Sequence, residues 1–232
     1  MAAAARPYER GVRADAPSRS AATRAKLIAV AERLFAEQGV QAVSLNEINK
    51  VAGQRHGSAC QYHFGSKDGL IQSILDKHVT AMAKQRDSMF DQIEADGADL
   101  DIDRVVAAFV RPVAAKLLDP DGGKEFVRLN AQLVAAHTLA MKYWEAAPFS
   151  APLTDRLNRM LNLALRKQEI PPHIASRRLI IASVMLFHGL ADYSRVLDAS
   201  DALDEANIHS FTADLEAMMV AALIAPLDLR EK

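Results

Sequence analysis

His56, Cys60 and His63 stand four and three residues apart. On a helix that spacing turns all three toward one side, and imidazole and thiolate are groups that zinc binds well. A closed zinc site needs a fourth ligand, and the neighbourhood supplies none, so no metal is assigned and no cofactor is expected. Cys60 is the chain's single cysteine. That excludes an internal disulfide framework and fits a reducing compartment, with the cytoplasm as the default. The other reactive groups do not assemble into catalysis: there is no Gly-rich phosphate loop, no nucleophile elbow and no HExxH. His188, between Phe187 and Gly189 on an apolar stretch, reads as a satisfied core histidine. The chain is therefore read as a non-enzyme.

Half of the 232 residues are apolar, enough for a substantial core. The formal net charge of −1 hides an asymmetry: residues 1–67 hold ten Lys/Arg against five Asp/Glu, and the rest of the chain 18 against 24. A basic end on an acidic body suggests contact with a polyanion at that end. The opening MAAAARPYERGVRADAPSRS, rich in Ala and Arg and holding Pro7 and Pro17, reads as a disordered arm over 1–18 rather than a signal peptide. No later stretch reads as long and charge-free enough to span a bilayer, so no membrane partner is expected.

Nearly every segment carries the 3.6-residue period of an amphipathic helix, and no alternating β-branched stretch argues for a sheet. The fold class is all-α. Leu27, Ile28, Ala31, Leu34 and Phe35 form one face of a first helix that stops at Gly39. Ser44, with Glu47 three residues on, is a capping-box start for a short helix to about Ala52. A second short helix is expected over about Ser58 to His63. A longer one, capped by Ser66, is expected from Lys67 to about Ala95. Five more follow, at roughly 101–118, 123–144, 150–168, 172–197 and 203–224, with Pro112 expected to kink the first of these.

Two short helices joined by a glycine-containing turn and buttressed by a longer one make a helix-turn-helix, whose second short helix enters the major groove of DNA. The runs TRAKLIAVAERLFAEQG, SLNEINKVAG and SACQYHFGSKDGL resemble the N-terminal domain of the TetR family, over about residues 22–76. The family's usual AGVSxGxxYxHF is replaced by AGQRHGSACQYHF, one residue longer, and Asn49 stands where alanine is usual. The longer turn leaves the start of the recognition helix open by a residue.

The resemblance implies a helix-turn-helix DNA-binding domain at 19–66 and a larger helical regulatory and dimerisation domain at 67–226, about nine helices in all, with the 67–95 helix bridging them. It implies that Ser58, Ala59 and Gln61 reach base edges, and that Tyr62, His63 and Lys67 lie near phosphates. The side chains suit those roles: Gln pairs bidentately with adenine, small residues admit close approach, and Lys is a compact cation for phosphate. Thr23 and Ser44 are further phosphate candidates. Ser44 is also expected to cap its helix whether or not DNA is present.

In the final helix Ile208, Phe211, Leu215, Met218 and Ala222 form a narrow seam, and the preceding helix, with Leu186, is apolar nearly all round. In the resembling family such helices pair across a twofold axis, so Leu186, Ile208, Phe211, Leu215 and Met218 are the expected homodimer contacts. Phe126, Asn130, Leu133, His137, Met141 and Trp144 follow one face of the 123–144 helix. With Phe109 they are candidates to line a pocket for an unknown small, largely apolar effector. The expected function is a sequence-specific regulator, with operator DNA, itself and an effector as partners. The competing readings are a helical small-molecule-binding protein or enzyme whose DNA module is no longer functional, and a non-specific DNA-binding structural protein.

Overall fold

The computed structural model describes residues 18–55, 57–97, 100–138, 153–200 and 205–227, with backbone alone at 136–138. The expected arm over 1–18 thus lies outside the described residues except at its last position. Among the described residues there are nine α-helices and no strand. The helices are α1 (Arg19–Gln38), α2 (Leu45–Val51), α3 (Ala59–Phe64), α4 (Lys67–Ala95), α5 (Ile102–Ala114), α6 (Gly123–Thr138), α7 (Asp155–Lys167), α8 (Pro172–Ala199) and α9 (Glu205–Ile224).

Local chemistry sets the starts. Side-chain hydroxyls of Ser18, Ser44 and Ser66 accept hydrogen bonds from the amides of Ala21, Glu47 and Gly69 at 3.2, 3.1 and 3.0 Å, satisfying donors that a helix leaves open at its N-terminus. Gly39 ends α1 at φ 93°, a backbone shape that side chains with a Cβ rarely adopt. The apolar stripe of α1 is buried as its period requires, Leu27, Ala31 and Phe35 being fully enclosed. Instead of one helix over 101–118, α5 gives way two residues past Pro112 to a 3₁₀ turn at Ala115–Leu118. Pro112 has no amide to donate to the preceding turn.

The 29 residues of α4 extend roughly 43 Å at 1.5 Å per residue. The helix packs on α5, α1, α3 and α6. Behind it, α6 lies against α8 and α1, and α5 lies against α9, α4 and α7.

Two expectations are corrected here. First, α8 does contain a stretch long and apolar enough to cross a membrane by length and composition, an 18-residue window of mean hydropathy 1.4. The expectation overlooked it because its polar residues are scattered singly. A third of that window is buried in this chain's own core. Second, the inward stripe of α9 is Ile208, Thr212, Leu215, Met219 and Leu223, not the expected seam through Phe211 and Met218. Ile208 and Leu215, at 4% and 5% exposure, and Leu186, at 0%, belong to the core of the single chain. Helices of this chain cover all three. Met218 is 59% exposed; Phe211 is half-buried, its ring stacked on Tyr193 of α8 at 4.2 Å.

Candidate nucleic-acid interface

Helix α3 starts at Ala59, one residue later than expected, with Ser58 in the capping position. The Ser58 hydroxyl makes no capping bond. That role falls to Asn49, on α2 and 2% exposed. Its Oδ1 accepts from the Cys60 amide at 2.9 Å, and its side-chain amide donates to the Gly57 carbonyl. The two departures from the family's pattern therefore belong together: the longer turn leaves polar backbone groups at the α3 start, and the side chain that replaces alanine satisfies them. Asn49 was visible in the sequence as a polar residue on the apolar side of α2, but its partners were not.

The face of α3 turned away from the core carries Ser58, Gln61 and Tyr62, all exposed, Tyr62 at 82%. Ala59 and His63 are half-buried, and Phe64 is half-buried against the core with the Arg24 guanidinium 5.2 Å from its ring centre. Arg24 also donates to Ser73 Oγ at 2.9 Å, which ties α1 to α4 behind the recognition helix. Lys67 is half-buried, its ammonium 5.8 Å from the centre of the Phe35 ring. Thr23 is half-buried on α1, and Ser44 is exposed while capping α2. Lys50 and Arg55, both exposed, add positive charge beside α3 that was not singled out from the sequence. Cys60 is fully buried, and burial pushes its thiol pKa up, which leaves it a core residue rather than a ligand. No three metal-ligating groups converge among the described residues; His56 lies outside them.

Two polar clasps join this unit to the helices behind it. Glu32 of α1, 2% exposed, receives the Lys77 ammonium at 2.9 Å on one carboxylate oxygen, and its other oxygen lies 2.8 Å from Nε2 of His78, itself 1% exposed. Lys77 continues to the Asp121 carboxylate and carbonyl at 2.8 and 2.9 Å. Burial opposes the Lys77 charge, but the hydrogen bonds to Asp121 and Glu32 outweigh it and raise its pKa. Next to it, the Lys116 ammonium, 2.8 Å away, holds the Asp119 carboxyl below its ordinary range. In the second clasp the Gln132 side chain on α6 donates to the Phe35 carbonyl and accepts from the Val40 amide, both at 2.8 Å, gripping the C-terminal end of α1.

Of the expected effector residues, Phe126 is core, its ring 4.5 Å from that of His78, and Phe109 and Leu133 are 8% exposed. Asn130 is half-buried and donates to the Phe126 carbonyl of its own helix. Met141, Trp144 and the His137 side chain lie outside the described residues. A cleft of about 430 Å³ between α4, α5 and α9, bordered by the Arg111–Glu216 ion pair, is lined by other residues.

Residues 27–74 match the family of bacterial regulatory proteins, tetR family. Over 134 residues the chain is 29% identical to the HTH-type transcriptional repressor Rv3405c of Mycobacterium tuberculosis, covering 51% of this chain and 69% of that one. Over 54 residues it is 43% identical to the HTH-type transcriptional regulator TtgR of Pseudomonas putida, covering 23% and 25%. A putative TetR-family regulator of Mesorhizobium loti superposes with a TM-score of 0.45 at 16% identity, over 88% of this chain and 98% of that one. The matched segment contains α2, α3 and the start of α4, the elements that present Gln61 and Tyr62. The chain is a DNA-binding transcription regulator, and its residues 27–74 form a DNA-binding segment of the kind found in the tetR family of bacterial regulatory proteins.

Proposed function

We propose that this regulator is a repressor that grips a near-palindromic operator as a homodimer in the cytoplasm and is released from it by a small effector. The observation that carries the reading is the outward face of α3, where Ser58, Gln61 and Tyr62 stand exposed on a helix whose start is pinned from α2. The DNA-binding unit runs over 19–66 and the regulatory unit over 67–226. Ser58, Ala59 and Gln61 read bases; Thr23, Ser44, Tyr62, His63 and Lys67 serve the phosphates.

In-vitro selection from random duplexes should return a palindrome with half-sites about one helical turn, or a multiple, apart. On that site Gln61→Ala should cost about 1–3 kcal/mol at one base position and relax its preference. Lys67→Ala should weaken binding to every sequence and reduce the salt slope by about 1. Equal weakening of all sequences by Gln61→Ala would remove it from base readout.

The second copy is assigned to the outward side of α8 and α9, where Ile181 and Met218 are 51% and 59% exposed and Val184, Met185 and Phe211 are half-buried. So much apolar surface on adjoining helices marks a protein interface. Ile181→Glu with Met218→Glu should give a folded monomer by sedimentation with weakened operator binding. A wild type that sediments as a monomer at micromolar concentration would overturn the dimer.

A further inference from the structure

Arg86 lies on α4 and is 5% exposed, yet among the described residues its guanidinium makes no hydrogen bond or ion pair, and its Nε is fully enclosed. Among the other buried or half-buried cations of the described body, Lys116 is satisfied by Asp119, Arg128 by Ser194 and Asp198, and Arg178 by the carbonyls of Leu223 and Ala225. Met82 and Phe90, one turn before and after Arg86 on the same face, are core residues. The neighbouring Asp87 turns outward, its carboxylate 3.6 Å from Arg156. A lysine in such a place sheds its proton, but a guanidinium keeps its charge. Burial lowers the Arg86 pKa and Asp87 offsets this only through space, so among the described residues no hydrogen-bonded counter-charge meets the guanidinium.

We propose that Arg86 anchors the carboxylate of an apolar monocarboxylic acid, and that such an acid is the effector class. The inference rests on the effector-released regulator argued above and specifies its ligand. The planar fork of the guanidinium matches a carboxylate, and the core residues Met82 and Phe90 on either side make its surroundings apolar. One unpaired cation calls for one negative charge, which favours a carboxylate over a phosphate dianion. Arg86 stands 19 residues along α4 from Lys67, roughly 29 Å at 1.5 Å per residue. An anion bound there acts on the helix whose first turn adjoins α3.

The test uses the full chain and its Arg86→Met and Arg86→Lys variants, with octanoate, decanoate and phenylacetate as probes against their primary amides. Without any ligand, Arg86→Met should melt higher than wild type by about 3–6 °C, because an apolar residue replaces an unpaired buried charge. Wild type should bind at least one acid ten or more times tighter than its amide. Arg86→Met should lose that preference and Arg86→Lys should keep part of it. A lower melting temperature for ligand-free Arg86→Met would mean that the guanidinium has a partner within the chain, and would overturn the proposal. So would equal binding of acids and amides, or no binding of any acid. Operator binding measured on the same proteins separates the two readings. If wild type takes up acids but never binds operator, the repressor reading fails and the Arg86 site stands. If wild type binds operator without preferring acids, only the Arg86 assignment fails.

Discussion

Glu32→Ala is expected to lower the stability of the protein by about 3–5 kcal/mol, the usual consequence of removing one partner from a buried charged cluster. The carboxylate is enclosed on all sides: Lys77 and His78 reach it from α4, and the backbone closes over it at Gly122. A Cβ at Gly122 would fall 2.4 Å from Glu32 Oε2, and the residue adopts φ +79°. Removing the carboxylate leaves the His78 Nε2 without its partner at 1% exposure and opens a void between α1, α4 and the turn before α6. Urea unfolding would show the loss as a lower midpoint at unchanged slope. Glu32→Gln, which keeps an acceptor of similar shape, should cost less. Pairing Glu32→Met with His78→Leu should recover much of the loss, because a matched apolar pair carries no desolvation penalty. A loss below about 1 kcal/mol for Glu32→Ala would show that the cluster is not what joins the DNA-binding unit to the helices behind it.

Asn49→Ala is expected to cost about 2 kcal/mol in stability and at least tenfold in operator affinity. The substitution restores the residue the family commonly has, yet here it removes two hydrogen bonds, one to the Cys60 amide at the first turn of α3 and one to the Gly57 carbonyl. A backbone donor left open in the interior costs about 1–3 kcal/mol, and the turn that aims α3 then has to be ordered by DNA itself. Asn49 is buried and offers nothing to phosphate, so affinity should fall with no change in the slope of log affinity against log salt. Lys67→Ala changes that slope, and the contrast separates positioning from contact. Anisotropy titrations at three salt concentrations suffice. An unchanged operator affinity in Asn49→Ala would show that the turn holds its shape without the side chain.

Taken alone, the sequence determined the all-helical class, the caps at Ser44 and Ser66, the stops at Gly39 and the prolines, and the helix-turn-helix. These are written in local spacing: a cap needs one hydroxyl three residues from an amide, and a stripe needs apolar residues at 3.6-residue intervals. The orientation of α9 was not legible. Ile208 and Leu215 fit both the expected seam and the observed inward stripe, and on a helix apolar nearly all round only the packing of α5 and α8 selects Thr212 and Met219 over Phe211 and Met218. For the same reason Leu186 read as an outward contact and proved to be core. The partners of Asn49, the Glu32–His78 pair 46 residues apart and the enclosed Nε of Arg86, without a hydrogen bond among the described residues, were likewise decided by tertiary structure alone. Burial and pairing between distant segments depend on which helices meet, and hydrophobic periodicity records only that a face is covered, not what covers it.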